Sequence, residues 1–244
     1  MEYSARLLGV VAALEAEART LGPAVRRPDG LSCLGDGALL AVSGMGASLA
    51  APAARRLVDA GVSALMSFGL AGGLDPALGA GRIVLPDEIV SSDGARITTS
   101  IEWRRHLRLA LALLEPVAVG KLLGSARPLE SVADKAAAFR ETGAVAVDME
   151  SLAVGEVAAA HGLPFIAVRV IVDGAADPVP GAVAAASRGG RLSVLRLIGA
   201  VLAAPRDIAD LMRLARRYRT ATRSLAAVAR LGHAQMHFFD ASIA

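Results

Sequence analysis

Short apolar runs recur along the chain, each closed by Gly, Pro or Asp: Leu7–Leu14, Ala38–Ser43, Ala64–Phe68, Arg82–Val90, Val117–Leu123, Ala144–Val147 and Phe165–Val172. They lack the strict alternation of half-exposed strands, so they predict strands buried on both faces. Ala-rich helical stretches lie between them, at Ala47–Ala60, Glu102–Leu114, Val132–Thr142 and Met149–His161. Strand, helix, strand in regular succession predicts an α/β fold, a layered sheet covered by helices. From about Ala182 the pattern turns helical, breaks at Pro205 and ends in a tail with no clear period. No repeat, low-complexity tract or long linker divides the chain. The expectation is a single domain over residues 1–244, of which about 182–244 form a helical C-terminal extension.

Composition sharpens this picture. A chain of 244 residues suffices for one sizeable core and is short for two. Apolar residues make up 54% of it, yet few are aromatic, so Ala, Val and Leu must fill the core. The lone cysteine, Cys33, excludes an internal disulfide framework and fits a reducing cytoplasm. No thiolate activator stands near it in sequence, which marks it as structural. No apolar run approaches the roughly 20 residues needed to cross a bilayer. The opening Arg6–Leu14 run resembles a signal-peptide core, with Ala16-Glu17-Ala18 imitating a cleavage site. Glu15 and Glu17 follow it directly, however, and a buried first strand explains it better. An unprocessed, cytoplasmic chain is expected.

The net charge of +3 conceals an asymmetry: residues 187–230 carry ten Arg against Asp207 and Asp210. Such a segment suits phosphate, nucleic acid or an anionic membrane surface, and equally well solvated helix faces. Sparse aromatics argue against nucleic acid, whose bases need stacking platforms.

Ligands of layered α/β folds gather where strands end and turn into helices, and four segments of that kind hold the candidate chemistry. Leu14-Glu15-Ala16-Glu17 places a carboxylate just after the first strand, suited to a general base or simply to the positive end of a helix dipole. Ser43-Gly44-Met45-Gly46-Ala47-Ser48 joins a strand to a helix, with glycines and free N–H groups suited to an anion or sugar. Phe68-Gly69-Leu70-Ala71-Gly72-Gly73-Leu74-Asp75 reads as a loop richer in glycine than a turn requires, suited to close approach of backbone to ligand. Last come Val147-Asp148-Met149-Glu150-Ser151 and Val168-Arg169-Val170-Ile171-Val172-Asp173-Gly174. There, acids sit at the ends of apolar strands, where burial without a partner is costly.

Taken in order, the motifs Gly-Val-Val-Ala-Ala-Leu-Glu-Ala-Glu, Ser-Gly-Met-Gly, Gly-Leu-Ala-Gly-Gly-Leu-Asp, Gly-Arg-Ile-Val-Leu-Pro-Asp-Glu, Val-Asp-Met-Glu-Ser and Val-Arg-Val-Ile-Val-Asp-Gly resemble the nucleoside phosphorylase and nucleosidase family. The likeness runs from Leu7 to about Pro180. Within the family it points to the methylthioadenosine/S-adenosylhomocysteine nucleosidase branch, and the texture of Ser67–Leu78 and Ala144–Ser151 is most similar to the bacterial hopanoid-associated phosphorylases, which remove adenine from adenosylhopane. The resemblance implies a three-layer α/β/α fold with a central mixed, largely parallel sheet. It implies cleavage of the N-glycosidic bond of an adenine nucleoside, adenosylhopane or, as the alternative, methylthioadenosine or S-adenosylhomocysteine, with no cofactor and a homodimer. Asp173 then matches the acid that protonates purine N7, Glu150 the carboxylate on the ribose hydroxyls, Met149 the thioether beside the sugar, and Glu17 the base that activates water. Arg169 matches an arginine near the nucleophile, while Gly69, Ala71 and Gly72 line the base and sugar pocket. A non-catalytic purine-binding module on the same fold is the other reading. The basic C-terminal segment mixes Arg213, Arg216, Arg217, Arg219, Arg223 and Arg230 with Leu211, Met212, Leu214, Leu225 and Val228. It suits amphipathic helices and peripheral contact with an anionic membrane at its inner face, or equally helices packed on the sheet with their Arg in water.

Departures from the family pattern bear on the nucleophile. Where hexameric phosphorylases hold phosphate with Arg and Ser, this chain has Ser67 and Leu70. Phosphate as co-substrate then rests on Ser43, Gly44, Ser48 and Arg169. Glu17 favours water, while the likeness to a subgroup named for phosphorolysis favours phosphate as a usable nucleophile, and both readings stand. Val172 replaces the usual Ser before the acid, and Arg127 stands where nucleosidases stack an aromatic ring on adenine. His233 and His237 share a helical spacing but lack the carboxylates of a zinc site, so no metal is expected.

Overall fold

The computed structural model of the chain describes residues 7–35, 37–112, 116–178 and 208–234. Strand β1 (Leu8–Ala12) is buried along its whole length. It pairs in parallel with β4 (Ala38–Val42) on one edge and β5 (Ala64–Gly73) on the other. Beyond β4 a short antiparallel pair, β2 (Val25–Arg26) and β3 (Ser32–Leu34), extends the sheet. The long β5 pairs in parallel with β11 (Phe165–Asp173) and, near its end, antiparallel with β10 (Ala144–Asp148). From β10 the sheet continues through β9 (Lys121–Gly124) and β7 (Glu88–Ser91) to β8 (Arg96–Thr98), while β6 (Ile83–Val84) flanks β11. The eleven described strands thus form one mixed, largely parallel sheet.

Strand alternation explains the layers. Leu8, Val10 and Ala12 of β1, Phe68 of β5, and Ile166, Val168 and Val170 of β11 face one side. There they meet Trp103 and Leu107 of α3 (Ile101–Leu111) and Ala221, Leu225 and Val228 of α6 (Ile208–Ala234). Val11, Leu65, Ala71, Ala167 and Ile171 face the other side, against Ala53 and Leu57 of α2 (Ala47–Asp59) and Val154 and Val157 of α5 (Ser151–Ala160). A third cluster packs Leu123, Ala144 and Val147 on Ala138 of α4 (Val132–Thr142). Helices on both faces of the sheet make the layered α/β fold that the apolar runs imply, in the three-layer α/β/α form that the resemblance implies.

The structure redraws several boundaries. The glycine-rich segment expected as a loop continues β5 as far as Gly73, because β11 and β10 supply backbone partners on its two edges. The Arg82–Val90 run divides into β6 and β7 around Pro86, which has no N–H for a ladder. Of the Val117–Leu123 run only Lys121–Leu123 joins the sheet as a strand, which continues to Gly124, while Ala118 forms an isolated bridge to Val84. The break expected at Pro205 lies outside the described residues.

Candidate active site

Each candidate carboxylate enters from the end of an apolar strand. After β1 the chain turns at Ala13 and Leu14 into the short helix α1 (Glu15–Ala18), which aims Glu17 back under the strand ends. Its Oε2 accepts the N–H groups of Ala13 at 3.1 Å and Leu14 at 2.9 Å, and its Oε1 that of Leu70 at 2.8 Å. A carboxylate offers about four lone-pair directions, so roughly one remains for a proton of another molecule. Burial pushes the Glu17 carboxyl upward, while Arg169 and the three N–H groups pull it back. Gly69 is required beside it, since a Cβ there would stand 2.6 Å from Glu17 Oε1.

Asp148 and Glu150 lie at and just past the end of β10, facing different partners. Glu150 Oε1 accepts the N–H of Gly46, at 2.7 Å, from the residue that caps the start of α2. Asp148 Oδ2 instead receives Arg169 Nε at 2.7 Å and Ser151 Oγ at 2.6 Å. Arg169 Nη2 also donates to Ser67 Oγ at 2.6 Å and Ser151 Oγ at 2.9 Å. This arginine is only 2% exposed, on the sheet face that packs against α2 and α5. Burial and the neighbouring Asp148 charge push Glu150 up to about 7, against the opposing pull of Arg169 and Gly46.

Asp173 ends β11 and is paired with a residue the apolar pattern gave no reason to single out. Lys135, from α4, donates to Asp173 Oδ2, to Gly174 O at 3.0 Å and to Asp177 O at 2.8 Å. It is fully buried. Burial raises the Asp173 carboxyl above the usual range, and the Lys135 charge works against that rise. Gly72 makes room here too: a Cβ would stand 3.4 Å from Asp173 Oδ2 and 3.2 Å from Val147.

Glu17, Met149, Glu150 and Asp173 line one cleft of about 1590 Å³, together with Ala71, Gly72, Ser43 and Gly44. Arg127 lines it as well, and α6 contributes Leu214, Tyr218 and Arg219. Gly69 and Arg169 lie behind the lining, so they support Glu17 and Asp148 rather than forming the wall. The expected anion group does not assemble. Ser43 Oγ donates to Gly44 O at 2.7 Å, Ser48 points to solvent outside the cleft, and Glu150 already occupies the Gly46 N–H. Beyond the expected residues, the structure adds Lys135 and Tyr218. Among the described residues no group of three or more His, Cys, Asp or Glu could hold a metal ion, and His237 lies outside them.

A family model described as the phosphorylase superfamily matches residues 31–203. A search of curated proteins gave no match. Among solved structures, the chain is similar to the 5′-methylthioadenosine/S-adenosylhomocysteine nucleosidase of Neisseria meningitidis in complex with methylthio-immucillin-A. The two are 20% identical over 94% of this chain and 99% of the other, with a TM-score of 0.69. A mutant of the Helicobacter pylori nucleosidase with 5′-methylthioadenosine in its active site is 16% identical over 91% of this chain and 97% of its own, with a TM-score of 0.66. Futalosine hydrolase of the same organism is 18% identical over 70% and 89%, with a TM-score of 0.62. At these identities the likeness establishes the fold.

Proposed function

Because the chain belongs to the phosphorylase superfamily, we propose that it breaks the N-glycosidic bond of a purine nucleoside, releasing adenine, with adenosylhopane of hopanoid lipid synthesis as the substrate. The observation that carries this reading is the meeting of Glu17, Glu150 and Asp173 at a single cleft, each from a different strand end. A purine anion leaves poorly, so a proton must reach N7 as the bond stretches, and Asp173 is the buried acid suited to give it. The sugar then acquires oxocarbenium character, which the Glu150 carboxylate offsets while holding the ribose hydroxyls, with Met149 against the ring. Glu17 takes a proton from the attacking water through its remaining lone pair.

Water is favoured over phosphate by the state of the polar groups. The Ser43 hydroxyl, the Gly46 N–H and the Arg169 guanidinium are already engaged within the protein. A phosphate beside Glu150 would also meet an acid where it needs donors. The cleft volume of about 1590 Å³ exceeds the ~300–1,000 Å³ of ordinary small-molecule sites, leaving room for a bulky 5′ substituent. The methylthioadenosine and S-adenosylhomocysteine named for the structural relatives are the competing substrates.

The test is adenine release from adenosylhopane, 5′-methylthioadenosine and S-adenosylhomocysteine, with and without phosphate, followed by analysis of the sugar product. The expected result is free sugar under both conditions, with the highest kcat/KM for the lipid-linked nucleoside. A sugar 1-phosphate would overturn the choice of water. Faster turnover of either smaller nucleoside would transfer the substrate assignment to it.

A further inference from the structure

The acid of this site has its own buried cation. Lys135 lies in the middle of an Ala-rich stretch of α4, yet it is fully buried and its ammonium meets three acceptors: Asp173 Oδ2, Gly174 O and Asp177 O. Three acceptors match the three N–H bonds of a charged ammonium. A neutral amine would set its lone pair against one of them. A buried lysine with no surface role is costly unless what it holds needs it. Two of its bonds fix the turn after β11, and the third fixes one carboxyl oxygen of Asp173, leaving Oδ1 as the oxygen available to the cleft.

We propose that Lys135 is the positioning residue for the general acid: it orients Asp173 toward the leaving base and stabilises the carboxylate left behind. This rests on the glycosidic reading above. In the step itself, the Asp173 O–H bond breaks as an N7–H bond forms, and the C1′–N9 electron pair passes to the purine. The resulting carboxylate is held by Lys135 until it regains a proton from solvent through the cleft. Among the described residues, the charged groups facing Asp173 are Lys135 from α4, Asp177 from the turn after β11 and Arg217 from α6. Its sheet partner Gly72, and Val147 beyond it, carry no charge. Arg217 is itself paired with Asp177, at 2.6 Å, so among the described residues Lys135 is the cation in direct contact with the acid.

The test compares Lys135→Met and Lys135→Arg with the parent on two substrates: a purine nucleoside, and 4-nitrophenyl riboside, whose leaving group needs no proton. Lys135→Met should lower kcat for the nucleoside roughly 10- to 100-fold, with KM changed less than about threefold and the riboside rate nearly kept. Without the cation the acid holds its proton more tightly, so the alkaline limb of the nucleoside profile should move to higher pH. Lys135→Arg, which keeps the charge, should restore the limb. Equal losses on both substrates with an unmoved limb would reduce Lys135 to a structural group. A readout that does not depend on a folded variant is the Lys135 Nζ resonance of the parent, which should shift as Asp173 titrates. A resonance indifferent to that titration would overturn the proposal. A parent inactive on every nucleoside would instead refute the glycosidic reading.

Discussion

At Glu150 a single residue carries opposing demands. It must be ionised to hold sugar hydroxyls and face developing positive charge, yet burial and Asp148 raise its carboxyl to about 7. The kcat/KM of the parent should therefore fall as pH drops below about 7, by roughly tenfold per unit, and Glu150→Gln should lose this limb along with most activity. Stability follows the opposite sense. The folded value lies above the ordinary 4.5, so this group's contribution is fully present below that value and is lost as pH rises through about 7. Glu150→Gln, which keeps an acceptor for the Gly46 N–H, should melt at least about 2 °C above the parent at pH 8, with a smaller gain at pH 5. Equal shifts at both pH values in thermal melts would show that Glu150 is not the strained acid. Asp148, Glu150 and Asp173 could be singled out in the sequence because an acid at the end of an apolar strand has few places to go, whereas Glu17 and the role of each acid came from the family resemblance. Lys135 could not be singled out, because a lysine in an Ala-rich helix reads as solvent-facing unless its tertiary partner is known. Arg169 could be placed on a buried strand but not paired, since Asp148, Ser67 and Ser151 reach it from elements far apart in sequence.

Among the elements, α6 is where the apolar pattern said least about position. Its stripe of Leu214, Tyr218, Ala221, Leu225 and Val228 marks one helix face. The spacing cannot reveal that the first two residues line the cleft while the last three enter the core. This division also alters the expected membrane contact. Leu225 and Val228 are spent on the sheet, so they have no apolar surface to offer a bilayer. What remains outward among the described residues, beside the large apolar Met212, is the exposed series Arg213, Arg216, Arg219, Arg223 and Arg230, each worth about 1 kcal/mol near an anionic surface. No described helix is long and apolar enough to cross a membrane. Any membrane association should thus be electrostatic, with recovery on anionic vesicles at low salt, release at high salt and no binding to neutral vesicles. Equal recovery in the supernatant under all conditions would remove the membrane role and leave the chemistry intact. The glycine-rich end of β5 shows the converse limit of sequence reading. Its glycines signal close approach, but the approaching groups are Glu17 and Asp173 of the protein itself, and the backbone stays in the ladder.

For the whole molecule, the sheet order explains why distant segments converge. A strand has two edges, and β5 gives one to β11 along most of its length and the other first to β1 and then to β10. The ends of β1, β10 and β11 therefore gather around one strand, bringing Glu17, Glu150 and Asp173 into one cleft although more than 150 residues separate the first from the last. The layered class followed from the apolar runs. The pairing order did not, because continuous buried strands carry no mark of their neighbours. Asp173 as the proton donor to a leaving purine is checked by adenine release from the parent and from Asp173→Asn, side by side on the same nucleoside. The substitution keeps the shape and removes the donor, so release should be rapid for the parent and about 10²–10⁴-fold slower for the variant. Release within a few-fold of the parent would mean that another group protonates the base, and would contradict the account.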